Sequence, residues 1–336
     1  MSADLQRKLL YSLVFAFLIY IGLAVYSDWN ALMAALTEFP WALLVPVIGL
    51  TLVNYVGRGL RWHWYLRLLG VPISRQESGK IFGVGMLMVM TPGKAGEFLK
   101  PYMVKSVAGT PMSVTAPVIL AERLLDGTAM LILAAAGLFA FPNPTARAIA
   151  VLVFSTFLVF VGVIQSRPLA LRLLSLGEQL PGVKRFARHL HAAYESAYTI
   201  FRPRYLLAAL AVGAACWAAE GLAYYVVLRG FGAAAGGQTL ALAVFIFSIS
   251  TVIGAVFAMP GGLGGVEGSL VALSVQLLAL PVATATAAAL LIRFCTLWMG
   301  VLVGVVSFLL WPDLLAGAPG AKRTPAPAPA LPRQEG

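Results

Sequence analysis

Two broken apolar stretches decide how this chain folds: Thr91-Pro92-Gly93-Lys94-Ala95-Gly96-Glu97 and Met259-Pro260-Gly261-Gly262-Leu263-Gly264-Gly265-Val266-Glu267. Each lies inside sequence that is hydrophobic enough for a lipid bilayer. Broken backbone at membrane depth is tolerated only where protein or a water-filled cavity satisfies its polar groups. Paired breaks in matching positions of two halves are a sequence signal of a transporter's binding site. The two breaks therefore predict a site inside a membrane protein.

The composition supports a membrane protein. Hydrophobic residues make up 60% of the 336 residues and charged residues 11%, which excludes an ordinary soluble domain. The net charge of +11 fits basic residues gathered at the cytoplasmic membrane face better than a nucleic-acid partner, and none is expected. Two cysteines without CxxC spacing and three histidines without a His-Glu-x-x-His pattern predict no metal, no cofactor and no catalytic residue.

The apolar runs predict an all-α polytopic membrane protein with about six full spans. The predicted spans are 9–26, 41–58, 112–140, 147–165, 204–228 and 283–311. Two hairpins, 78–108 and 238–279, lie between them. The run Ile81–Met90 is too short to cross a bilayer, so the first hairpin is predicted to be re-entrant. The second is either re-entrant or two short spans.

The basic residues predict the orientation of the integral domain, residues 1–311. With a cytoplasmic N-terminus, 20 of the 24 lysines and arginines fall on the cytoplasmic side, so both termini are expected there. Residues 166–203 then form a cytoplasmic loop, in which Val183–Ile200 reads as a basic amphipathic helix on the membrane surface. The Pro/Ala-rich segment 312–336 is expected to be a disordered cytoplasmic tail.

An internal repeat relates residues 41–140 (repeat A) to residues 204–311 (repeat B). Arg58-Gly59-Leu60 matches Glu220-Gly221-Leu222 at an offset of 162, and Glu97 and Arg123 match Glu267 and Arg293 at an offset of 170. In the predicted topology the matching spans run in opposite directions. The repeats are therefore predicted to be inverted, an arrangement found in many secondary transporters.

Charged residues inside apolar segments are candidates for function. A charge at the bilayer centre costs about 2.5–3.5 kcal/mol on insertion scales, so each needs a partner or a wet cavity. The candidates are Glu97, Glu122, Arg123, Asp126, Glu220, Glu267 and Arg293. One alternative is that they pair with one another and hold helices together. The other is that Arg123 and Arg293, at matching repeat positions, bind a phosphate from two sides, since the planar guanidinium suits phosphate.

The breaks themselves are a second candidate site. A helix that restarts after Pro-Gly turns free backbone N–H groups and a positive dipole end toward the break, where anions bind. Lys94 and Lys100 add positive charge at the first break, while Glu97 and Glu267 are placed to cap a helix, accept a proton or bind an ammonium group. The alternative is a plain turn. The residues of this candidate site are Pro92, Gly93, Lys94, Gly96, Glu97, Lys100, Pro260, Gly261, Gly262, Gly264, Gly265 and Glu267.

Basic and aromatic residues end the second predicted span. Arg58, Arg61 and Arg67 alternate with Trp62, Trp64 and Tyr65. The pattern is typical of an interfacial belt. The alternative is that Arg58 and Arg61, on one helix face, receive lipid phosphates from the inner leaflet.

The motifs resemble those of a known family. Pro92-Gly93-Lys94-Ala95-Gly96-Glu97, Glu122-Arg123 with Asp126, and Pro260 to Glu267 are similar to the flippase-like family named for the lysylphosphatidylglycerol synthase transmembrane region, of the UPF0104 type. The resemblance covers about residues 10–311. It implies a multi-pass protein of the bacterial inner membrane that handles a lipid or lipid-linked headgroup. Full-length synthases add a soluble transferase domain, for which the tail after Trp311 leaves no room, so transferase activity is not expected.

Three functions remain open from the sequence. The first is a lipid translocator that handles an anionic or phosphate-bearing membrane lipid. The chain has no GxxxxGK[ST] loop, so ATP-driven transport is not expected. The second is a membrane enzyme that modifies a lipid, and the third is a non-transporting partner of a lipid-synthesis enzyme. The sequence does not predict the lipid or the oligomeric state.

Overall fold

The chain is built of α-helices. The structure, a computed structural model, describes residues 17–23, 25, 27–91, 96–138, 155, 159, 161–178, 187–257 and 259–316, and these contain helices and no strand. Within them, five helical segments are long and apolar enough to cross a membrane: Trp41–Leu68, Pro203–Gly230, Gly237–Val256, Pro260–Leu278 and Val282–Leu310. The predicted all-α polytopic membrane fold is confirmed. The predicted spans 9–26 and 147–165 and the tail fall largely outside the described residues.

The first half contains two long helices with a broken hairpin between them. The described helices of this half are α1 (Trp29–Glu38), α2 (Leu44–Leu68), α3 (Arg75–Met86), α4 (Leu99–Ala108) and α5 (Met112–Leu138). Of these, α2 and α5 are the two long helices, and α3 and α4 are the arms of the hairpin. A 3₁₀ turn, Leu87–Met90, extends α3 to the first break. The start of α3 is fixed by a capping box, in which Ser74 and Glu77 satisfy each other's backbone N–H groups. Both arms of this hairpin are short, as the sequence predicts.

The second half has the same order of elements. Helices α6 (Arg167–Glu178) and α7 (Ala187–Ile200) lead to α8 (Pro203–Gly230), and α9 (Gly237–Val256) and α10 (Gly265–Leu278) form the second hairpin. Helix α11 (Val282–Arg293) continues through a π-turn, Phe294–Trp298, into α12 (Met299–Leu310), and α13 (Asp313–Ala316) follows. Each half thus has a long helix, a broken hairpin and a second long helix.

The two leading long helices, α2 and α8, cross in antiparallel directions. Asn54 Nδ2 donates to the Cys216 carbonyl at 3.0 Å, and further along α2 the Trp64 ring meets Tyr205, earlier in α8, at 5.9 Å. Asn54 and Cys216 are 162 residues apart, the offset of the sequence repeat. A residue that touches its own repeat counterpart lies where a twofold axis would pass. In an inverted repeat the matching helices run in opposite directions, as α2 and α8 do. The boundaries of the two repeats remain a prediction.

Each hairpin packs against the last long helix of the other half. Helix α3 contacts α12, and α9 contacts α5. The two breaks also meet, because Met90, beside the first break, forms an apolar cluster with Leu263 of the second break and with Leu297. The two halves are therefore interleaved around one centre.

One prediction about α2 is wrong. The helix runs on to Leu68 instead of ending near residue 58, and Arg61, Trp62 and Tyr65 are buried in the protein, where they are not interfacial anchors. Trp62 and Tyr65 pack into one core with side chains of α4 and α5, such as Met103 and Leu125. Arg67 remains exposed.

The predicted surface helix also contacts the protein core. Helix α7 begins at Ala187 and packs against α5, with Tyr194, Ser196 and Ile200 buried. One face of this helix therefore lies on protein. The start of the predicted segment, 183–186, is outside the described residues.

Candidate functional site

A cavity of about 540 Å³ lies where the two halves meet. Helices of both halves and both breaks contribute to its wall. Its polar and charged lining residues are Tyr55, Arg58, Glu97, Arg123, Asp126, Trp217, Glu220, Thr251, Arg293 and Thr296. The remaining lining is largely apolar, with Phe98 and Phe247 among its aromatic residues. The cavity thus combines buried charges with apolar surface, as a site for an amphiphilic ligand requires.

The second break is tightly built. Gly261, Gly262 and Gly264 have φ values of 60°, 69° and 81°, a region that side chains with a Cβ rarely adopt. Pro260 begins the 3₁₀ turn, where its missing N–H costs nothing. This chain path brings Gly262 and Gly265 close to Gly254 on α9. The glycines therefore serve the backbone path and close packing.

Arg293 and Glu267 hold the second break together. Arg293 donates from Nε to Glu267 Oε1 at 2.6 Å and from Nη2 to the Gly261 carbonyl at 2.5 Å. The other oxygen of Glu267 accepts from the Gly264 N–H at 2.7 Å, at the start of α10. Glu267 is fully buried. Glu267 therefore caps the start of α10, which is one of the roles predicted for it, and Arg293 neutralises its charge.

The first break has a looser counterpart of this pair. Arg123 Nε lies 3.3 Å from Glu97 Oε2, and Arg123 Nη2 lies 3.4 Å from Asp126 Oδ2. The Arg123 side chain is 25% exposed, against 9% for Arg293. Gly96 donates its N–H to Thr91 Oγ1 at 2.9 Å, which ties the two sides of the break. The predicted site residues Pro92, Gly93 and Lys94 lie outside the described residues.

Asp126 gathers three arginines. Arg61 donates a hydrogen bond to Asp126 from deep in the core, Arg123 approaches from one turn earlier on α5, and Arg58 Nε lies at 3.8 Å. Asp126 itself is buried. Arg61 is therefore the structural partner of Asp126, while Arg58 and Arg123 are held near each other on the cavity wall by a shared carboxylate.

Lys100 and Glu122 form a separate pair behind the wall. Lys100 Nζ donates to Glu122 Oε2 at 2.7 Å and lies 4.5 Å from the centre of the Trp62 ring. Both side chains are buried, and neither lines the cavity. Lys100 and Glu122 therefore fit the alternative that buried charges pair to hold helices together, because their ion pair joins α4 to α5.

Several N–H donors on the cavity wall have no hydrogen-bond acceptor among the described residues. They are Arg58 Nε, Arg123 Nε, Arg123 Nη2 and Trp217 Nε1. Buried donors are almost always satisfied by protein, water or a ligand. The Arg58 guanidinium also lies 5.5 Å from the centre of the Trp217 ring, so these donors converge from α2, α5 and α8. Such a cluster suits an oxyanion or another acceptor-rich group.

The structure brings most predicted site residues to one place. Arg58, Glu97, Arg123, Asp126, Gly261, Gly262 and Arg293 line the cavity. Arg61 and Glu267 stand directly behind it as partners of lining residues. Gly96, Pro260, Gly264 and Gly265 build the breaks but do not line the cavity.

Two aromatic residues with polar groups are among the lining residues that were not predicted from the sequence. Trp217 precedes Glu220 by three residues on α8, and Tyr55 precedes Arg58 by three on α2. That spacing puts each aromatic ring on the same helix face as a buried charge. A search for aromatic residues that share a helix face with a charge in an apolar segment would have identified both.

A second cavity of about 510 Å³ is almost wholly apolar. It is lined by Phe17, Tyr20, Leu36, Leu290, Leu291, Phe294 and Trp298. At its rim Trp298 Nε1 donates to Tyr20 Oη at 2.7 Å. Within the described residues no group of three His, Cys, Asp or Glu side chains is placed to hold a metal ion.

Comparison with known proteins gives a consistent picture. A UPF0104 membrane protein of Methanothermobacter thermautotrophicus is 24% identical to this chain over 328 residues, which are 90% of this chain and 93% of the relative. Residues 11–304 match the family model of the lysylphosphatidylglycerol synthase transmembrane region. The match includes both broken hairpins and every charged residue of the central cavity. This chain belongs to the family of the lysylphosphatidylglycerol synthase transmembrane region.

Proposed function

We propose that this protein moves a phosphate-bearing lipid, or a lipid-linked headgroup, between the leaflets of a bacterial inner membrane. The observation that carries the proposal is the central cavity between two broken hairpins, whose wall combines apolar side chains with arginine and tryptophan N–H groups that have no hydrogen-bond acceptor among the described residues. A phosphate needs such donors, and acyl chains need apolar surroundings. Membership of a family named for a lipid synthase agrees with a lipid substrate.

In this proposal the headgroup enters the cavity while the acyl chains stay in the lipid. Arg58, Arg123 and Trp217 bind the headgroup, and movement of one half against the other changes the side from which the cavity is open. The interleaved hairpins suit this motion, because each half carries one break to the same centre. Both termini face the cytoplasm, on the charge bias of the sequence.

The proposal includes no transferase chemistry. Among the described residues, Glu97, Asp126 and Glu220 are the acids on the cavity wall, and none of the lining residues described is a histidine or a cysteine. Expression of the chain in a host that lacks lysylphosphatidylglycerol synthase, followed by lipid extraction, should yield no lysylphosphatidylglycerol. Appearance of that lipid would support the enzyme alternative instead.

Reconstitution of the purified chain tests the transport itself. Vesicles that contain fluorescent phosphatidylglycerol, phosphatidic acid or a polyprenyl phosphate are treated with a membrane-impermeant quencher. Vesicles with the protein should lose more than the outer-leaflet half of the signal for at least one of these lipids, and protein-free vesicles should lose only that half. The Arg123→Gln variant should behave like the protein-free vesicles. If the folded wild-type chain moves none of the three lipids, the proposed function is wrong.

A further inference from the structure

The second cavity, of about 510 Å³, plays no part in the proposed function. Its volume lies within the range of roughly 300–1,000 Å³ that is usual for small-molecule sites. The two polar groups among its described lining side chains, Trp298 Nε1 and Tyr20 Oη, form a hydrogen bond with each other at 2.7 Å. A buried water molecule needs about two to four polar partners, so this cavity holds water poorly. Its lining favours a hydrocarbon ligand.

This cavity lies at the depth of the lipid chains. Its lining residues between Leu290 and Trp298 fall in the middle of the candidate span Val282–Leu310. Phe17 falls in the middle of the predicted span 9–26. Phe17 and Phe294 are 65% and 63% exposed, so part of the cavity wall lies on the outer surface of the helices. In a bilayer, a surface at this depth faces acyl chains.

An acyl chain of a phospholipid meets these conditions. Phospholipids supply most of the hydrocarbon at this depth, and a chain needs no polar partner. It also enters from the side, while its headgroup stays at the membrane surface. We propose that the second cavity binds an acyl chain of a membrane phospholipid, in a site separate from the headgroup site of the proposed function.

One helical segment separates the two sites. Arg293 and Leu297 line the central cavity, whereas Phe294 and Trp298, which directly follow them in the chain, line the second cavity. Neighbouring residues of a helix point in different directions, so α11 and the π-turn form a wall with a charged site on one side and an apolar site on the other. None of the described lining residues of the second cavity carries a charge. The headgroup of the bound phospholipid should therefore have little effect on its affinity.

A chain in this site braces the second break. Tyr20 and Trp298 pack against the apolar cluster of Met90, Leu263 and Leu297, in which Leu263 belongs to the second break. The same two rings line the second cavity. An acyl chain there packs on these rings and holds them against the break, whatever the protein transports.

Quenching of tryptophan fluorescence by brominated acyl chains tests the proposal. The purified full chain in dodecyl maltoside is titrated with phosphatidylcholine that carries dibromostearoyl chains, and Trp298 in the cavity wall is the reporter. Part of the fluorescence should be quenched in a saturable manner at a low ratio of lipid to detergent. Trp298→Phe should lose that part. Phosphatidylglycerol with the same chains should give the same midpoint, because the site selects the chain.

Leucine-to-phenylalanine variants locate the bound chain. Leu290→Phe and Leu36→Phe add volume at the cavity wall, so each should raise the midpoint of quenching. The expected change is about fourfold for each methylene that is excluded, since burial of one methylene contributes about 0.8 kcal/mol. Leu309→Phe makes the same change on the exposed surface of α12 and should leave the midpoint unchanged. Thermal unfolding checks that each variant is folded, and saturating lipid should raise the Tm of Leu309→Phe more than that of Leu290→Phe.

Contact with surrounding lipid alone gives a different result. Quenching that rises with lipid content without saturation, or that is the same in the wild-type chain, Leu290→Phe and Leu36→Phe, would overturn the proposal. Saturable quenching by free dibromostearic acid but not by the phospholipid would overturn it as well. Calorimetric titration with dihexanoyl phosphatidylglycerol reports on the headgroup site instead, because its short chains gain little from the second cavity. Leu290→Phe should leave that affinity unchanged, so failure of the chain site leaves the proposed function intact.

Discussion

An arginine and a glutamate pair beside each of the two breaks, but the two pairs differ in how closely their side chains approach. At the second break, Arg293 and Glu267 make hydrogen bonds to each other and to the backbone of the break at 2.5–2.7 Å. At the first break, Arg123 and Glu97 stand 3.3 Å apart beside the cavity, and Arg123 is partly exposed. Sequence position alone makes the two arginines equivalent. Their contacts differ, because Arg293 makes short hydrogen bonds, whereas Arg123 lies in looser ion pairs with Glu97 and Asp126.

The difference shows how a repeat can divide two tasks between its copies. A site that binds and releases a charged group needs at least one group with unsatisfied hydrogen-bonding capacity, and that capacity costs stability. In the proposed function, Arg293 of the second copy holds the cavity wall, and Arg123 of the first copy binds the headgroup. Variants of the two pairs should therefore separate stability from binding.

The largest expected effect is on stability, at the second break. Arg293→Gln removes the partner of the fully buried Glu267 and should lower the free energy of unfolding by about 3–5 kcal/mol. Thermal unfolding in detergent measures the change as a lowered Tm. The exposed pair Arg167–Glu195 is the matched control, and Arg167→Gln should leave the Tm nearly unchanged.

The double variant Arg293→Gln/Glu267→Gln sharpens this test. It removes the unpaired buried charge and should recover much of the lost stability. If Arg293→Gln alone is as stable as the wild-type chain, the second break is not held by this pair, and the contrast between the two breaks disappears.

The next effect is on binding, at the first break. Arg123→Gln should remain folded, because Asp126 keeps Arg61, but it should weaken binding of dihexanoyl phosphatidylglycerol. A charge-assisted hydrogen bond contributes about 1.5–3 kcal/mol, which corresponds to about one to two decades in affinity. Arg123→Lys should recover part of this loss, since lysine keeps the charge and lacks the planar fork.

Transport and Tm should be measured on the same preparations of the Arg123 variants. A stable Arg123→Gln variant that binds and transports like the wild-type chain would remove Arg123 from the headgroup site. The N–H groups that would then remain on the wall without an acceptor among the described residues are Arg58 Nε and Trp217 Nε1.

Much of the fold could be predicted from the sequence because the bilayer imposes simple rules. Apolar run lengths gave helices that begin and end close to the predicted positions, such as 112–140 for α5 at Met112–Leu138. The end of α2 could not be predicted in this way. Arg58, Arg61 and Trp62 look like an interfacial belt along the chain, and only tertiary packing against α4 and α5 shows that Arg61 and Trp62 are buried.

The candidate site was predictable in composition but not in its contacts. Charges in apolar segments and Pro-Gly breaks pointed to residues that now line one cavity, including Glu97, Arg123 and Arg293. Sequence could not tell which charges satisfy one another, because this depends on distances between helices that are far apart in the chain. Lys100 and Glu122, for example, approach each other to 2.7 Å behind the wall, whereas Arg123 and Glu97 stand 3.3 Å apart on it.

A smaller effect is expected at Trp217, which the sequence analysis missed. Trp217→Phe keeps an aromatic ring beneath Arg58 and removes the unpaired Nε1 donor. One neutral hydrogen bond contributes about 1 kcal/mol, so binding of the short-chain phosphatidylglycerol should weaken by about fivefold with an unchanged Tm. Unchanged binding would show that the headgroup lies nearer to Arg123 and does not reach α8.

The smallest effect is expected at Arg67, which belongs to neither break and does not line the cavity. Arg67 is exposed at the end of α2, while Arg58 and Arg61 of the same predicted belt turn inward. An exposed cation is screened by solvent and contributes little to holding a headgroup, so Arg67→Gln should change the vesicle transport rate by less than about twofold. The same substitution at Arg58 should slow transport much more, since Arg58 lines the cavity and shares Asp126 with Arg123. Equal losses for the two variants would favour a path in which the lipid phosphate is captured first at the membrane surface. In that case the cavity arginines would act after a surface step that limits the rate, and the difference between the two breaks would not by itself govern transport.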